Sequence, residues 1–181
     1  MIKINVQIKG TTPLLQHRMA TVLKRQKLQT KVEEDFEAMA EKCAYKMEDG
    51  TLYAPSTWIM GTLRDASKYF KQQKPPLRQV ISGLVIVKPA EISLGTKEYE
   101  IDVRTAVNKS KGRINVARPR LNSWTLDFTM EFNPAIAPIT ADALKDILDM
   151  AGKVVGIGSY RPAHAGSFGL FEISKWEVTE A

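Results

Sequence analysis

Ile2, Ile4, Val6 and Ile8 alternate with Lys3, Asn5, Gln7 and Lys9, a period of two that predicts a strand with one buried face. Trp124, Leu126, Phe128, Met130 and Phe132 alternate with polar positions in the same way and predict another half-buried strand, closed by Asn133-Pro134. Leu84-Val85-Ile86-Val87 is a continuous, largely β-branched run that suits a central strand bounded by Pro89. The segment from Phe168 to Val178 reads as a last strand. Phe171 and Ile173 keep one phase while Trp176 and Val178 take the other, which predicts a bulge near Ser174-Lys175.

Two helices stand out between these strands. Ser56 offers a capping hydroxyl to a helix running to about Phe70, with Ile59, Leu63, Ala66 and Phe70 as its core stripe. Arg64, Lys68 and Lys71 follow at i, i+4 and i+7 on another face, and Lys74-Pro75-Pro76 stops the helix. Thr140 caps the other helix, where Leu144, Ile147, Leu148, Ala151 and Val155 repeat with helical spacing. Residues 18–47 mix charges with Leu23, Leu28, Val32, Phe36, Met39 and Ala40, and Glu48-Asp49-Gly50 ends that stretch in a turn. They predict an inserted helical or mobile segment over 18–50.

From Ile92 to Asn122 the chain reads as one or two β-hairpins, with turn signals at Gly95 and at residues 108–112. Few large apolar side chains accompany the basic ones there, so a projecting arm is expected. The element order is strand, helix, strand, strand, helix, strand. It predicts an α+β, ferredoxin-like βαββαβ unit in one domain over residues 1–181.

Charge sharpens this picture. The formal net charge is +6, which by itself indicates only a preference for polyanions. Its distribution says more. No Asp or Glu occurs from Val103 to Ser123, where Arg104, Lys109, Lys111, Arg113, Arg118 and Arg120 fall, and none from His17 to Thr30, where Arg18, Lys24, Arg25 and Lys27 fall. Either run alone reads equally well as a solvated face; together they point to a phosphate-binding surface. There is no run of eighteen apolar residues, and the strand pattern opens at Ile2, so neither a membrane span nor a signal peptide is expected and the predicted location is cytoplasmic. The single cysteine, Cys43, has no Cys or His at metal-ligand spacing. No cofactor or metal is expected.

The segment from Val155 to Gly169 holds Gly156, Gly158, Gly166 and Gly169 together with Tyr160 and Arg161. Glycines permit positive φ and close backbone approach, which lets consecutive N–H groups face an anion, and Arg161 adds a bidentate donor. The loop follows a helix and precedes a strand, the reverse of a dinucleotide fingerprint. On the glycines alone it reads as a helix C-cap and turn.

These residues resemble the RAMP superfamily of CRISPR-associated proteins, in particular its guide-RNA-binding backbone subunits. Three elements carry the resemblance: the strand and loop from Ile4 to Arg18, the run Tyr53-Ala54-Pro55-Ser56-Thr57-Trp58-Ile59-Met60-Gly61-Thr62-Leu63-Arg64, and the glycine-rich loop from Gly156 to Gly169. The chain departs from the family pattern in its shortness, in Trp58 at a small-residue position and in the inserted Pro162-Ala163-His164, which leaves open a standalone or phage-borne relative. The resemblance implies a modified RNA-recognition fold that holds single-stranded RNA by its backbone and self-associates along it into filaments or rings. It also implies a thumb-like role for residues 92–122.

The binding surface expected on these grounds comprises Arg18, Lys24, Arg25, Arg64, Lys68, Lys71, Arg104, Lys111, Arg113, Arg118, Arg120, Gly156, Gly158, Tyr160, Arg161, Gly166 and Gly169, with single-stranded RNA or DNA as ligand. Tyr160 and Trp58 are candidates to stack on bases, with a core role open to Trp58. A second reading is a metal-independent endoribonuclease in which His17 is the general base; His164 is the other histidine. A third is a structural filament or virion subunit that touches no nucleic acid.

Overall fold

A computed structural model describes residues 1–19, 35–71, 74–107 and 111–180. Lys24, Arg25, Lys27 and Lys109, and the apolar positions Leu23, Leu28 and Val32, lie outside the described residues. Within them the fold is mixed α/β, built on antiparallel sheets and four α-helices.

Strand β1 (Ile2–Gly10) pairs antiparallel with β8 (Thr125–Phe132) on one side and β9 (Phe171–Glu180) on the other. Strand β4 (Val85–Lys88) pairs with the far edge of β8, so the sheet order is β4-β8-β1-β9. The alternation read in the sequence decides which face is buried. Ile4, Val6 and Ile8 lie beside Met130, Phe128 and Leu126 on the core face, while Lys3, Gln7, Asp127 and Glu131 share the opposite, polar face. Helices α2 (Ser56–Ala66) and α4 (Ala141–Met150) contribute Ile59, Leu63, Leu144, Ile147 and Leu148 to the same core.

Strand β9 carries the expected bulge. Gln7 faces Lys175 and Ile8 faces Ile173, so Ser174 is the extra residue, and its hydroxyl donates to the Gln7 side chain at 2.9 Å. The phase change puts Trp176 opposite Val6 and Val178 opposite Ile4.

Several expectations are corrected. The α2 cap is not Ser56: Pro55 holds the cap position without a side-chain bond, and Ser56 is already helical. The helix ends at Ala66, followed by a 3-10 turn over Ser67–Tyr69. The Ser67 hydroxyl bonds the Arg64 carbonyl there at 2.8 Å. Lys68 and Lys71 therefore do not continue the helical row begun by Arg64. After Pro76 the chain forms a helix that the apolar run concealed, α3 (Leu77–Leu84), with Leu77, Val80 and Ile81 buried. Strand β4 is an edge rather than a central strand, and Ile86 is correspondingly exposed. Asp35 caps helix α1 (Phe36–Cys43) by accepting from the Ala38 N–H at 2.9 Å.

Of the one or two hairpins expected from Ile92 to Asn122, the described residues form one. Strand β5 (Glu91–Ser93) pairs with β3 (Tyr53–Pro55), so Gly95 links different sheets. Strands β6 (Glu100–Val107) and β7 (Arg113–Leu121) make the hairpin, and β2 (Leu14–Leu15) adds to β7. The arm is anchored at its base: Ala117, Arg118 and Leu121 are buried, and α1 packs across β7. Towards its tip Val107, Arg113 and Ile114 are exposed.

Candidate nucleic-acid interface

The segment after β2, the buried half of β7, the start of α2 and the glycine loop meet around an open cleft of ≈ 600 Å³, lined by His17, Trp58, Arg118, Tyr160, Arg161 and His164 among others. Among the described residues no carboxylate lines it.

The glycine loop reaches this position because α4 runs into a π-helical turn over Ala151–Val155 and ends at Gly156, whose φ is 72°. Gly158, at φ 76°, lies so close to β2 that a Cβ would stand 2.7 Å from the Leu15 carbonyl oxygen and 2.8 Å from Leu14 Cδ1. Its neighbour's N–H, on Ser159, donates to the same Leu15 carbonyl at 2.9 Å. A Cβ at Gly166 or Gly169 would likewise collide with the carbonyls of Tyr160 or Ile157. These glycines give the loop close packing against its own strands. Ile157, Ser159, Gly166, Phe168 and Gly169 spend their N–H groups on backbone carbonyls.

Arg118 is the central charge of the cleft. Its residue is only 6% exposed, and among the described residues no carboxylate pairs with it. Its Nε–H donates to His17 Nδ1 at 3.0 Å, its guanidinium lies 4.8 Å from the Tyr160 ring centroid, and its buried Nη1 has no hydrogen-bond partner among the described residues. A cation–π contact contributes up to about 2 kcal/mol when desolvated, whereas removing an ion from water costs several kcal/mol. The arrangement is therefore incomplete as a structural ion pair.

His17 is defined by this contact. An arginine Nε always donates, so Nδ1 must accept, and the proton of the neutral ring sits on Nε2. Partial burial, followed by the Arg118 charge, holds the imidazole pKa below the ordinary histidine value. In this arrangement His17 presents a donor and no free acceptor nitrogen. That geometry does not provide the general base of the endoribonuclease reading.

The other expected cations are differently placed. Arg104 forms a two-point bond with Asp102, at 2.6 and 3.0 Å, and that bond, ahead of the Asp102 charge, raises its pKa. Arg120 lies 3.9 Å from the same carboxylate. Asp102 is buried and lies just before the acid-free run, so two of the arm's arginines share an internal counter-ion. Arg104 also covers the Tyr160 and Phe168 rings, at 5.6 and 4.8 Å. Arg161 donates to the Gly158 carbonyl at 3.1 Å and lies 3.9 Å from Asp65.

Arg64 is half-buried away from the cleft, with its Nε unpartnered among the described residues. Lys68 lies over the Tyr69 ring at 5.0 Å, Lys71 is exposed beyond the turn, and Lys111 and Arg113 are exposed at the hairpin tip. Arg18 is exposed beside His17. Trp58 is half-buried, edge-on to Tyr45 at 5.2 Å, and still lines the cleft.

The open face of the main sheet is a poor alternative surface. Its residues interact with one another, as in the 2.7 Å Lys88–Glu131 ion pair and the 2.9 Å Gln7–Asp127 bond, and β1 and β8 put no aromatic ring on it for a base to stack on. Among the described residues no group of three or more His, Cys, Asp and Glu side chains converges to hold a metal, and no helix is long and apolar enough to cross a membrane.

No protein-family model and no curated protein matches the sequence. Among solved structures, a chain of the cryo-EM structure of the Type III-B Cmr-beta bound to cognate target RNA aligns with 99% of this protein at a TM-score of 0.67 and 15% sequence identity. The protein spans 61% of the length of that chain. At that identity the likeness is one of fold.

Proposed function

We propose that this protein binds a single-stranded nucleic acid by its sugar-phosphate backbone, in the cleft between the glycine loop and Arg118. The carrying observation is the guanidinium itself: Arg118 is buried in the cleft wall, has no carboxylate partner among the described residues, and keeps an unpartnered N–H group. Buried charges are ordinarily paired, and a phosphate is the counter-ion that a cleft lined by cations and aromatic rings would admit. Arg161 and Arg18 extend the positive surface on either side, and the exposed Lys111 and Arg113 continue it along the hairpin.

RNA is favoured over DNA because the structural neighbour was determined with target RNA bound. The sheet order β9-β1-β8-β4 with α2 and α4 as crossovers supports reading the core as a ferredoxin-like unit of RAMP type. Repeated subunits along the strand are part of this proposal, supported by the same neighbour, a chain of the Type III-B Cmr-beta, and by the exposed hairpin tip.

The test is a titration with single-stranded RNA, single-stranded DNA and duplex at several salt concentrations. Affinity for single strands should fall steeply with salt and little with base sequence. A salt-independent response, or preference for duplex, contradicts the reading.

A further inference from the structure

The contact between Arg118 and His17 carries one step more. We infer that His17 is a neutral positioning residue, and that the two side chains present a guanidinium and an imidazole Nε2–H to one phosphate group. This deepens the function proposed above and rests on it for the identity of the strand.

Three observations converge. The 3.0 Å bond from Arg118 Nε fixes the ring tautomer, because a ring protonated at Nδ1 would set two donors against each other. Among the described residues no carboxylate lines the cleft to stabilise a second positive charge: Arg118 touches the ring, Arg161 lines the same cleft, and Arg18 follows in the chain. Cys43, whose thiol is pushed up by burial, and Tyr160 face Arg118 from the other elements packed on it. Finally, the acid nearest in register, Asp102, is already engaged by Arg104 and Arg120. His17 therefore acts on the guanidinium as an aligned neutral acceptor and keeps one outward donor, while of these two side chains Arg118 alone supplies charge to the ligand.

This division of labour has a signature that a merely structural histidine lacks. On an oligouridylate RNA at pH 7.5, Arg118→Lys and His17→Ala should each weaken binding by about tenfold or more, the loss expected for one hydrogen bond involving a charged group. The salt slope of the alanine variants should separate the roles of the two residues. Arg118→Ala lowers it by about one unit, whereas His17→Ala leaves it unchanged, because a neutral donor displaces no counter-ion. His17→Gln, whose carboxamide can accept from Arg118 and donate outward, should restore affinity to within about threefold of the parent. If His17→Ala also lowers the slope by one unit, or if it leaves affinity intact, or if His17→Gln fails as badly as His17→Ala, the inference is wrong.

A measurement without nucleic acid keeps this distinct from the proposed function. In a two-bond proton–nitrogen correlation spectrum of histidine-labelled protein, His17 should show a bare Nδ1 and a protonated Nε2, and inorganic phosphate should shift that Nε2 resonance. A protein that binds no strand yet shows both features would refute the function and leave the clamp. Strand binding with Nδ1 protonated would do the reverse.

Discussion

The Nε of Arg118 donates a 3.0 Å hydrogen bond to Nδ1 of His17 across 101 residues of sequence. The bond ties the end of the first strand-loop unit to the buried half of the hairpin, and it gives the fold a measurable dependence on pH. The folded-state pKa of His17 is lowered from 6.5 by burial and by Arg118. The unfolded chain therefore takes up a proton near that value which the folded protein refuses, so the contribution is present above pH 6.5 and is lost as pH falls below it. Chemical denaturation from pH 7.5 down to 5 should show the parent losing stability faster than His17→Gln, and parallel curves would contradict this.

Asp102 holds Arg104 at 2.6 Å and is buried. Asp102→Asn removes the counter-ion of two arginines while keeping the side-chain shape. Asp102 is buried, but the Arg104 and Arg120 side chains are 39% and 35% exposed, so water screens the charges released and the loss is smaller than for a fully buried pair; the melting temperature should still fall. Binding of single-stranded RNA should strengthen and its salt slope steepen, since Arg104 and Arg120 are released towards the ligand. A variant with lower stability and unchanged slope would show that these arginines are structural only.

Gly158→Val places a branched side chain against the Leu15 carbonyl and Leu14 at a φ of 76°. Strain and overpacking together cost roughly 2 kcal/mol or more. Thermal unfolding should report a drop of several degrees, on the order of 2–4 °C per kcal/mol for a chain of this size. Binding should weaken as the loop is displaced, in step with the stability loss rather than ahead of it.

Arg161 shares its guanidinium between the Gly158 carbonyl and Asp65. Arg161→Ala should weaken binding to all base sequences alike and reduce the salt slope by about one unit. Unchanged affinity in a folded variant would assign Arg161 to loop closure alone.

The elements that the sequence determined are those with a local rule. Strands β1 and β8 follow from alternation, because a period of two puts every second side chain in the core regardless of partner. Helix α4 follows from its apolar stripe and the Thr140 cap, which accepts from Ala143 at 3.1 Å. The bulge at Ser174 follows from a phase change visible in the side chains themselves.

What only the tertiary structure decided concerns partners distant in the chain. The apolar run at Leu84–Val87 could not reveal that β4 is an edge, because that depends on which strand stands beside it. Leu77–Leu84 concealed a helix too short for its periodicity to outweigh the prolines before it, and burial against α2 stabilises it. The glycine loop advertised close approach, but only the fold showed that its glycines approach β2 and the loop itself. Arg118 was one arginine among several in a basic run, and nothing local set it apart. Burial and the meeting with His17 and Tyr160 did so, because desolvation is a property of the packed neighbourhood and not of the residue.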